Sequence, residues 1–347
     1  MSQKPKQLKP QIPQFGITFL LILLLFIIIV SCRKEENIDT RLSPYSIEKP
    51  EGFPKMKIPE NNQPYKERIA LGRKLYYDPI LSNNGLSCSS CHLQNVGFTI
   101  PTQNKMPVLH HANLAWKDIF MWDGREQGTL EEVMLFEVQD FFHSDISKLN
   151  SHPTYPELFQ EAYGIENITA NDAARALAQF VRTMISANSK YDRVQAGTAS
   201  FTEKELKGYL IFNDEKGSCY HCHIPPLFAD NMMHNIGLDS IYQLPQNQGY
   251  FATTGDSSDL GRMRTATLRN ADLRTSYMHD GRFSSLKEVL QHYSTGVKKS
   301  NTLDPVMVKA NGSARLNFSP SEIEQLEAFL KTLTDSSFIN NPALSKP

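Results

Sequence analysis

Two short motifs of identical spacing contain the residues of this chain best suited to chemistry. Residues 88–92 have the sequence C-S-S-C-H, and residues 219–223 have the sequence C-Y-H-C-H. C-x-x-C-H is the attachment sequence for c-type haem: two thiols add to the haem vinyl groups and the adjacent histidine ligates the iron. The spacing therefore predicts two covalently bound haem c groups. The predicted attachment residues and proximal iron ligands are Cys88, Cys91, Cys219, Cys222, His92 and His223.

Other uses of paired cysteines explain the two motifs less completely. A disulfide framework gives no role to a histidine at the same offset in both motifs. A four-cysteine zinc site is compatible with two C-x-x-C units. A thioredoxin-like dithiol needs one C-x-x-C in a β-α-β setting, a pattern that the sequence does not contain. Haem attachment uses every residue that the motifs share, and zinc binding is the main alternative.

The fifth cysteine, Cys32, follows a segment with the features of an export signal. Three lysines within the first nine residues precede an apolar run over 19–30, which is too short for a comfortable transmembrane helix. The run ends in I-V-S-C, which resembles a bacterial lipoprotein cleavage site. We therefore predict a signal peptide over 1–31 and a lipid-modified Cys32, with an uncleaved N-terminal anchor as the alternative. Both place the globular part on the periplasmic side of a bacterial membrane.

The overall composition is that of an ordinary globular protein. The formal net charge is −1 over 347 residues, which gives no indication of nucleic acid or an acidic polymer as a partner. Residues 32–63 are polar and contain several prolines, so we predict a tether between the lipid and the fold. The length that remains suffices for two domains of ordinary size.

The elements that must position the two motifs recur along the chain in the same order. Residues 67–77 and 203–213 share a charged pattern with a central glycine, and each lies shortly before a C-x-x-C-H motif. After the motifs, M-W-D-G-R at 121–125 and M-H-D-G-R at 278–282 are each followed by an L-x-E-V sequence. An ordered series of matching elements indicates an internal repeat of two related domains.

The sequence predicts an all-α fold with long loops. Apolar residues at helical spacing between 174 and 185 predict one amphipathic helix. We predict two cytochrome c-like haem domains, over 64–196 and 197–340, with the boundary near 195–200. Capping-box patterns predict four further helix starts, at Thr129, Thr202, Ser285 and Ser319.

The order of these motifs resembles the bacterial di-haem cytochrome c peroxidases and their MauG-like relatives. The resemblance is carried by 88–92, 120–125, 219–223 and 267–293, and it extends over 64–333. Mono-haem cytochromes lack both the W-D-G-R and the L-R-N…H-D-G segments. The resemblance implies that the N-terminal haem binds hydrogen peroxide and that the C-terminal haem delivers electrons from a small cytochrome or copper protein. It also suggests a homodimer.

Two positions of the resemblance concern electron transfer. Trp122 matches the family's tryptophan between the haems, where it would help electrons cross; a core aromatic is the alternative. Tyr293 matches the distal ligand of the second haem, which is methionine in the peroxidases and tyrosine in MauG-like proteins. A phenolate favours oxidised iron and should lower the haem potential relative to a thioether. Met278 is the alternative ligand.

The N-terminal haem site departs from the family pattern. The family carries a distal histidine in the loop after the first motif, but the corresponding residues 93–106 contain no histidine. We therefore predict an iron with an open distal position. His110 and His111 could substitute as ligands, although a structural role is the interpretation that we favour for each.

The acid–base residues of the family also differ here. The family's glutamine falls on Val133 and its glutamate falls on His143. A histidine can transfer protons near neutral pH, so we predict His143 as the acid–base residue; it could instead ligate the iron and close the site. Glu132, Glu137 and Asp145 lie close enough in sequence to compete for the acid–base role.

The family's calcium site is not expected in this chain. Lys105 occupies the position of the family's asparagine, and Arg274 lies in the matching C-terminal segment. Positively charged side chains there disfavour the binding of a calcium ion. We therefore predict no calcium.

Three functions are compatible with these patterns. The leading hypothesis is a lipid-anchored periplasmic peroxidase that reduces hydrogen peroxide at the His92 haem with electrons that arrive through the His223 haem. The second is a MauG-like oxidation of another substrate by long-range electron removal, which Tyr293 favours. The third is an electron-transfer cytochrome with both irons fully ligated, which His143 as a ligand would favour.

Overall fold

The computed structural model describes residues 42–100 and 107–347. The predicted signal peptide, Cys32 and Lys105 lie outside the described residues. In the part of the chain that is described, no helix is both long and apolar enough to cross a membrane.

Helices dominate the described residues, which confirms the helix-rich fold predicted from the sequence. The strands are two-residue segments that pair antiparallel, Ile119–Phe120 with Glu126–Gln127 and Met233–His234 with Met263–Arg264. The helices are α1 (Lys66–Tyr77), α2 (Cys88–Cys91), α3 (Leu130–Phe136), α4 (Ser147–Asn150), α5 (Tyr155–Tyr163), α6 (Ala170–Arg182), α7 (Lys190–Gln195), α8 (Glu203–Phe212), α9 (Phe251–Thr254), α10 (Leu286–Gln291), α11 (Pro320–Lys331) and α12 (Ser336–Ile339). The strands are β1 (Ile119–Phe120), β2 (Glu126–Gln127), β3 (Met233–His234) and β4 (Met263–Arg264).

The four predicted capping residues begin helices as expected. Thr129, Thr202 and Ser319 each form a complete capping box with the third residue of the helix that follows. The Ser285 hydroxyl accepts a hydrogen bond from the Glu288 amide at the start of α10. Each cap satisfies a backbone amide that has no partner inside its helix, which fixes where the helix starts.

Leu42–Pro347 packs as one unit in which the buried apolar side chains form two large clusters. The first cluster contains residues between Leu71 and Met184 together with Phe338 and Leu344. The second cluster contains residues between Tyr191 and Leu333. The two predicted haem domains and the internal repeat stay predictions, and the clusters are where each domain would have its core.

A close helix pair lies at the centre of each cluster, α1 against α6 in the first and α8 against α11 in the second. A Cβ atom at Gly72 would overlap the carbonyl oxygen of Ala176, and one at Gly208 would overlap the carbonyl oxygen of Gln325. Both positions therefore need glycine, because only a hydrogen atom fits between the two backbones. These are the central glycines of the repeated pattern in the sequence.

Part of the predicted tether packs against the fold. Phe53 is buried, and its ring lies 5.1 Å from that of Trp116 in an edge-on arrangement. The side-chain amide of Asn62 is also buried and donates to Glu131 at 2.7 Å. Residues 42–63 are thus anchored by an aromatic contact and by buried hydrogen bonds, which the polar composition of 32–63 did not indicate.

Residues 336–345 return to the first cluster, although the sequence predicted that 197–340 form the C-terminal domain. The Arg73 guanidinium donates to the Ser345 carbonyl at 2.6 Å, and the Tyr77 hydroxyl donates to the Leu344 carbonyl at 2.6 Å. The first cluster is therefore completed by residues that are distant in sequence.

Candidate functional site

The first C-x-x-C-H motif is held by a short capped helix. The Ser87 amide donates to the Ser90 hydroxyl at 3.0 Å at the start of α2, and His92 lies at the end of that helix. His92 Nδ1 donates to the Phe98 carbonyl at 2.9 Å, which leaves Nε2 as the ring atom with a free lone pair. Burial lowers the pKa of His92 to about 4, so the imidazole is neutral at pH 7, as an iron ligand must be.

The histidine of the second motif is also held by a hydrogen bond from Nδ1 to a backbone carbonyl. His223 Nδ1 donates to the Phe228 carbonyl at 3.0 Å, and burial lowers the pKa of His223 to about 4. Phe98 and Phe228 both have positive φ, 59° and 51°, which turns each carbonyl back toward its histidine. A hydrogen bond of this kind fixes the tautomer and the orientation of a ligating imidazole.

A large cavity opens beside the second motif, and it suits a flat, mostly apolar group. Apolar side chains from several elements form its walls, among them Phe212, Leu290 and Leu326. The motif residues and the candidate ligands and relay share this cavity: Cys219, Cys222, His223, Tyr293, Met278 and Trp122. The two thiols are free, and the lining combines apolar walls with a histidine, so the residues present fit a haem c group.

Tyr293 follows α10 in a π-helical turn, His292–Gly296. Burial raises the pKa of Tyr293, and the nearby thiols of Cys222 and Cys219 raise it further. This coupling places the phenol close to both attachment residues. Met278 lines the same cavity, so the structure brings both candidate ligands of the second iron to one site.

Glu137 occupies the corresponding turn of the first half, in a π-helical segment Glu137–Phe141 that follows α3. Burial raises the pKa of Glu137 to about 7, and the Glu126 carboxylate adds to the shift. Burial and then Glu137 raise the pKa of the Cys91 thiol, and Glu137 also couples to the Cys88 thiol. The Glu137 carboxylate is therefore near enough to Cys88 and Cys91 to shift the pKa of both thiols, and it can exchange a proton near neutral pH.

The structure places His143, the predicted acid–base residue, at an exposed position. Its Nδ1 donates to the Gln139 carbonyl at 3.2 Å, and its own carbonyl accepts from Asn83 at 2.9 Å. Val133, at the position of the family's glutamine, is buried. Glu137 begins the π-helical turn Glu137–Phe141, and sequence spacing alone does not reveal such a turn.

His110 is buried and His111 is half-buried, and His111 lies against the first motif. The His111 ring stacks on that of His92 with the centroids 3.4 Å apart, and its Nδ1 is 3.1 Å from the Tyr76 hydroxyl. His110 Nδ1 donates to the Gly97 carbonyl at 2.8 Å. Burial lowers the pKa of His110 to about 3 and that of His111 well below its usual range. Both rings are therefore neutral and held by structural contacts.

Trp122 borders the large cavity of the second motif and is fixed by two hydrogen bonds. Its indole Nε1 donates to the Pro107 carbonyl at 2.7 Å, and its carbonyl accepts from the Arg264 amide at 2.9 Å. The following turn is closed by Arg125, whose Nε donates to Asp123 at 2.9 Å.

Two further clusters bear on metal binding. Arg274 lies in a segment that matches the family's calcium site, where no calcium is predicted for this chain. Its guanidinium donates to the Val108 carbonyl at 3.0 Å and to the Ser276 carbonyl at 3.1 Å. Cys222, Asp230 and His234 approach one another, and the imidazole of His234 pairs with Asp230 at 2.8 Å and with Asp304 at 2.6 Å. Because Cys222 is an attachment residue of the second motif, this group is part of the candidate haem site.

Comparison with known proteins identifies relatives across most of the chain. A family model described as di-haem cytochrome c peroxidase matches residues 66–200. The methylamine utilization protein MauG of Methylorubrum extorquens is 32% identical over 304 residues, which cover 82% of this chain and 82% of that protein. The cytochrome c551 peroxidase of Nitrosomonas europaea is 30% identical over 300 residues, with 80% and 81% covered.

Solved structures agree with these relatives. The crystal structure of a MauG-like protein associated with microbial copper homeostasis superposes with a TM-score of 0.80 at 30% identity, covering 87% of this chain and 99% of that chain. The di-haem peroxidase BthA of Burkholderia thailandensis superposes with a TM-score of 0.68 at 19% identity, covering 82% and 91%, which shows a shared fold.

Proposed function

Because the chain belongs to the family of di-haem cytochrome c peroxidases and MauG proteins, oxidoreductases that carry two haem c groups, we propose that it reduces hydrogen peroxide to water. The reaction consumes two electrons and two protons per peroxide and yields two water molecules. A small cytochrome or copper protein supplies the electrons one at a time. The bound haem groups supply the redox-active iron, and the side chains described above hold the haems and move the protons.

The two motifs take different roles in this proposal. Cys88, Cys91 and His92 would hold the haem that supplies the peroxide-reducing iron, while Cys219, Cys222 and His223 would hold the haem that supplies electrons to it. The single observation that carries this assignment is the difference between Glu137 and Tyr293. A carboxyl group with a pKa of about 7 suits proton transfer, whereas a tyrosine that lines the same cavity as Cys219, Cys222 and His223 suits ligation of ferric iron.

Glu137 is the group that we propose for proton transfer at the peroxide site. Its carboxylate accepts a proton as peroxide binds and returns that proton to the oxygen that leaves as water. His143 remains the alternative from the sequence, and its exposed position favours Glu137. Trp122 borders the large cavity of the second motif, and we propose that it helps electrons cross between the two haem sites.

A MauG-like oxidation of another substrate is the second candidate function. The observation that favours it is the position of Tyr293 in the large cavity of the second motif. A tyrosine ligand there would lower the potential of the second haem. The electron-carrier alternative has no such support, because the named relatives include cytochrome c peroxidases.

The proposed setting follows from the sequence. Cleavage before Cys32 and lipidation of that residue would anchor the enzyme at the periplasmic side of a membrane, where peroxide and small redox proteins meet it. The resemblance to the family supports a homodimer, and the enzyme is expected to work without calcium.

Electron paramagnetic resonance of the oxidised, haem-loaded protein tests the proposal. We expect a high-spin ferric signal that disappears when hydrogen peroxide is added, together with a low-spin signal from the second haem. Two low-spin signals that ignore peroxide, in both the oxidised and the half-reduced protein, would show that the first iron is closed and exclude both enzymatic functions.

A further inference from the structure

A small buried cavity near Trp122 contains two polar side-chain atoms without partners. The Lys117 side chain is buried, and its Nζ has no hydrogen-bond partner among the described residues. His110 Nε2 is likewise buried without a partner. Both side chains line this cavity together with Arg264, so an amine, an imidazole and a guanidinium group face the same small cavity.

The charges around this cavity are not balanced. Burial and the Arg264 charge lower the pKa of Lys117 to about 7, and burial lowers the pKa of Arg264 to about 10. Neither cation forms an ion pair among the described residues. Asp230, the carboxylate that interacts with Lys117, is engaged with His234. Two neighbouring buried cations without a counterion are costly, so the site calls for an anion.

The role of His110 follows from its hydrogen bond. Because His110 Nδ1 donates to the Gly97 carbonyl, its Nε2 carries a lone pair. That lone pair can accept a hydrogen bond from an ammonium group but cannot donate one to an anion. A neutral His110 of this tautomer is therefore not the group that binds the anion, which leaves Lys117 and Arg264 for that role.

The position of the small cavity identifies the anion. Arg264, Ala266 and Thr267 line both this cavity and the large cavity that contains Cys219, Cys222 and His223. A haem held by Cys219, Cys222 and His223 would bring two propionate carboxylates into the large cavity, which shares part of its wall with the small one. A carboxylate is also the acceptor that a guanidinium binds with the best geometry.

We propose that Lys117 and Arg264 form a buried cradle for the carboxylates of the second haem. This inference rests on the proposed placement of a haem at the second motif. A fixed positive charge near that haem stabilises its reduced form, because reduction removes one positive charge from the iron. Lys117 is thus a positioning residue that raises the second haem's potential and offsets part of the effect of a tyrosine ligand.

The test compares haem-loaded variants by spectroelectrochemical titration. Lys117→Met is expected to shift the reduction equilibrium of the second haem at least tenfold toward the oxidised form, which corresponds to a potential about 59 mV lower. Lys117→Arg should stay close to the wild type. The control is Lys57→Met, because Lys57 is an exposed lysine paired with Asp118, and we expect no shift. A shift below twofold in Lys117→Met, or an equal shift of both haems, overturns the cradle.

A crystal structure of the wild-type holoenzyme decides the same question without a variant. A haem carboxylate within hydrogen-bond distance of Lys117 Nζ supports the cradle, whereas a water molecule or an inorganic anion there overturns it. The proposed function fails in a different way, through an absent second haem or an iron that ignores peroxide. An unchanged potential in a peroxide-reactive di-haem enzyme therefore counts against the cradle alone.

Discussion

The two halves of this protein hold their motif histidines alike, but they differ at a position about two helical turns after the start of a corresponding helix. Glu137 follows the first residue of α3 at the same spacing (130 to 137) as Tyr293 follows the first residue of α10 (286 to 293), and both lie in π-helical turns. Each side chain couples electrostatically to the cysteines of its own motif. One position on a common scaffold thus carries a proton-transfer group in one half and a candidate iron ligand in the other.

The largest expected effect comes from removing the proximal histidines one at a time. His92→Gly should lower peroxide turnover by at least about 100-fold and abolish the peroxide-sensitive high-spin signal, because the first iron loses its axial ligand. His223→Gly should also stop steady-state turnover but leave that signal in place. Paramagnetic resonance of both variants checks the assignment, and the reverse pattern would exchange the roles of the two halves.

Glu137→Gln should lower kcat/KM for peroxide by about 10²- to 10⁴-fold, the usual contribution of a positioned acid–base group. The matched control is His143→Gln, which replaces the exposed histidine predicted from the sequence and should stay within a few-fold of the wild type. Stopped-flow mixing with peroxide measures both variants. A large loss in His143→Gln with a mild one in Glu137→Gln would restore the prediction made from the sequence.

The rate of peroxide binding should depend on pH through the ionisation of Glu137. The carboxyl of Glu137 is neutral below its pKa of about 7 and ionised above it, and the ionised form is the one that accepts the peroxide proton. The rate of peroxide binding should therefore rise as the pH increases through about 7 and should lose this rise in Glu137→Gln. A rise that survives in the variant would assign the titration to another group.

Tyr293→Met should raise the potential of the second haem, since a thioether favours reduced iron more than a phenolate does. Met278→Leu is the matched control for the competing ligand and should leave the potential near that of the wild type. Redox titration with optical detection measures both. A shift in Met278→Leu and none in Tyr293→Met would identify Met278 as the ligand.

The smallest effects are expected where the two halves are most alike. Gly72→Ala and Gly208→Ala each force a methyl group against a backbone carbonyl, so each should lower the free energy of unfolding by about 1–3 kcal/mol. Urea denaturation of the haem-loaded variants measures the change. Similar losses support two equivalent helix pairs, and a loss confined to one variant would show that only one pair relies on close contact.

The sequence predicted the family, the helix-rich fold and the four helix starts, because each depends on short patterns that physical chemistry constrains locally. It named Glu137 only as a competitor of His143 for the acid–base role, because the burial that raises the pKa of Glu137 to about 7 depends on tertiary packing. Nor did it predict the buried Lys117, because nothing in A-W-K-D distinguishes a buried lysine from a solvated one. Burial of this kind depends on residues distant in the chain and emerges only from the packing.

The return of residues 336–345 to the first cluster has a consequence for how the protein forms. Phe338 and Leu344 belong to a core whose other members lie between Leu71 and Met184, so that core cannot close while the intervening chain is still being made. Contacts so far apart in sequence slow folding and delay its completion. Such a delay would keep Cys88 and Cys91 accessible until the C-terminal residues arrive, which favours the proposed haem attachment at these thiols.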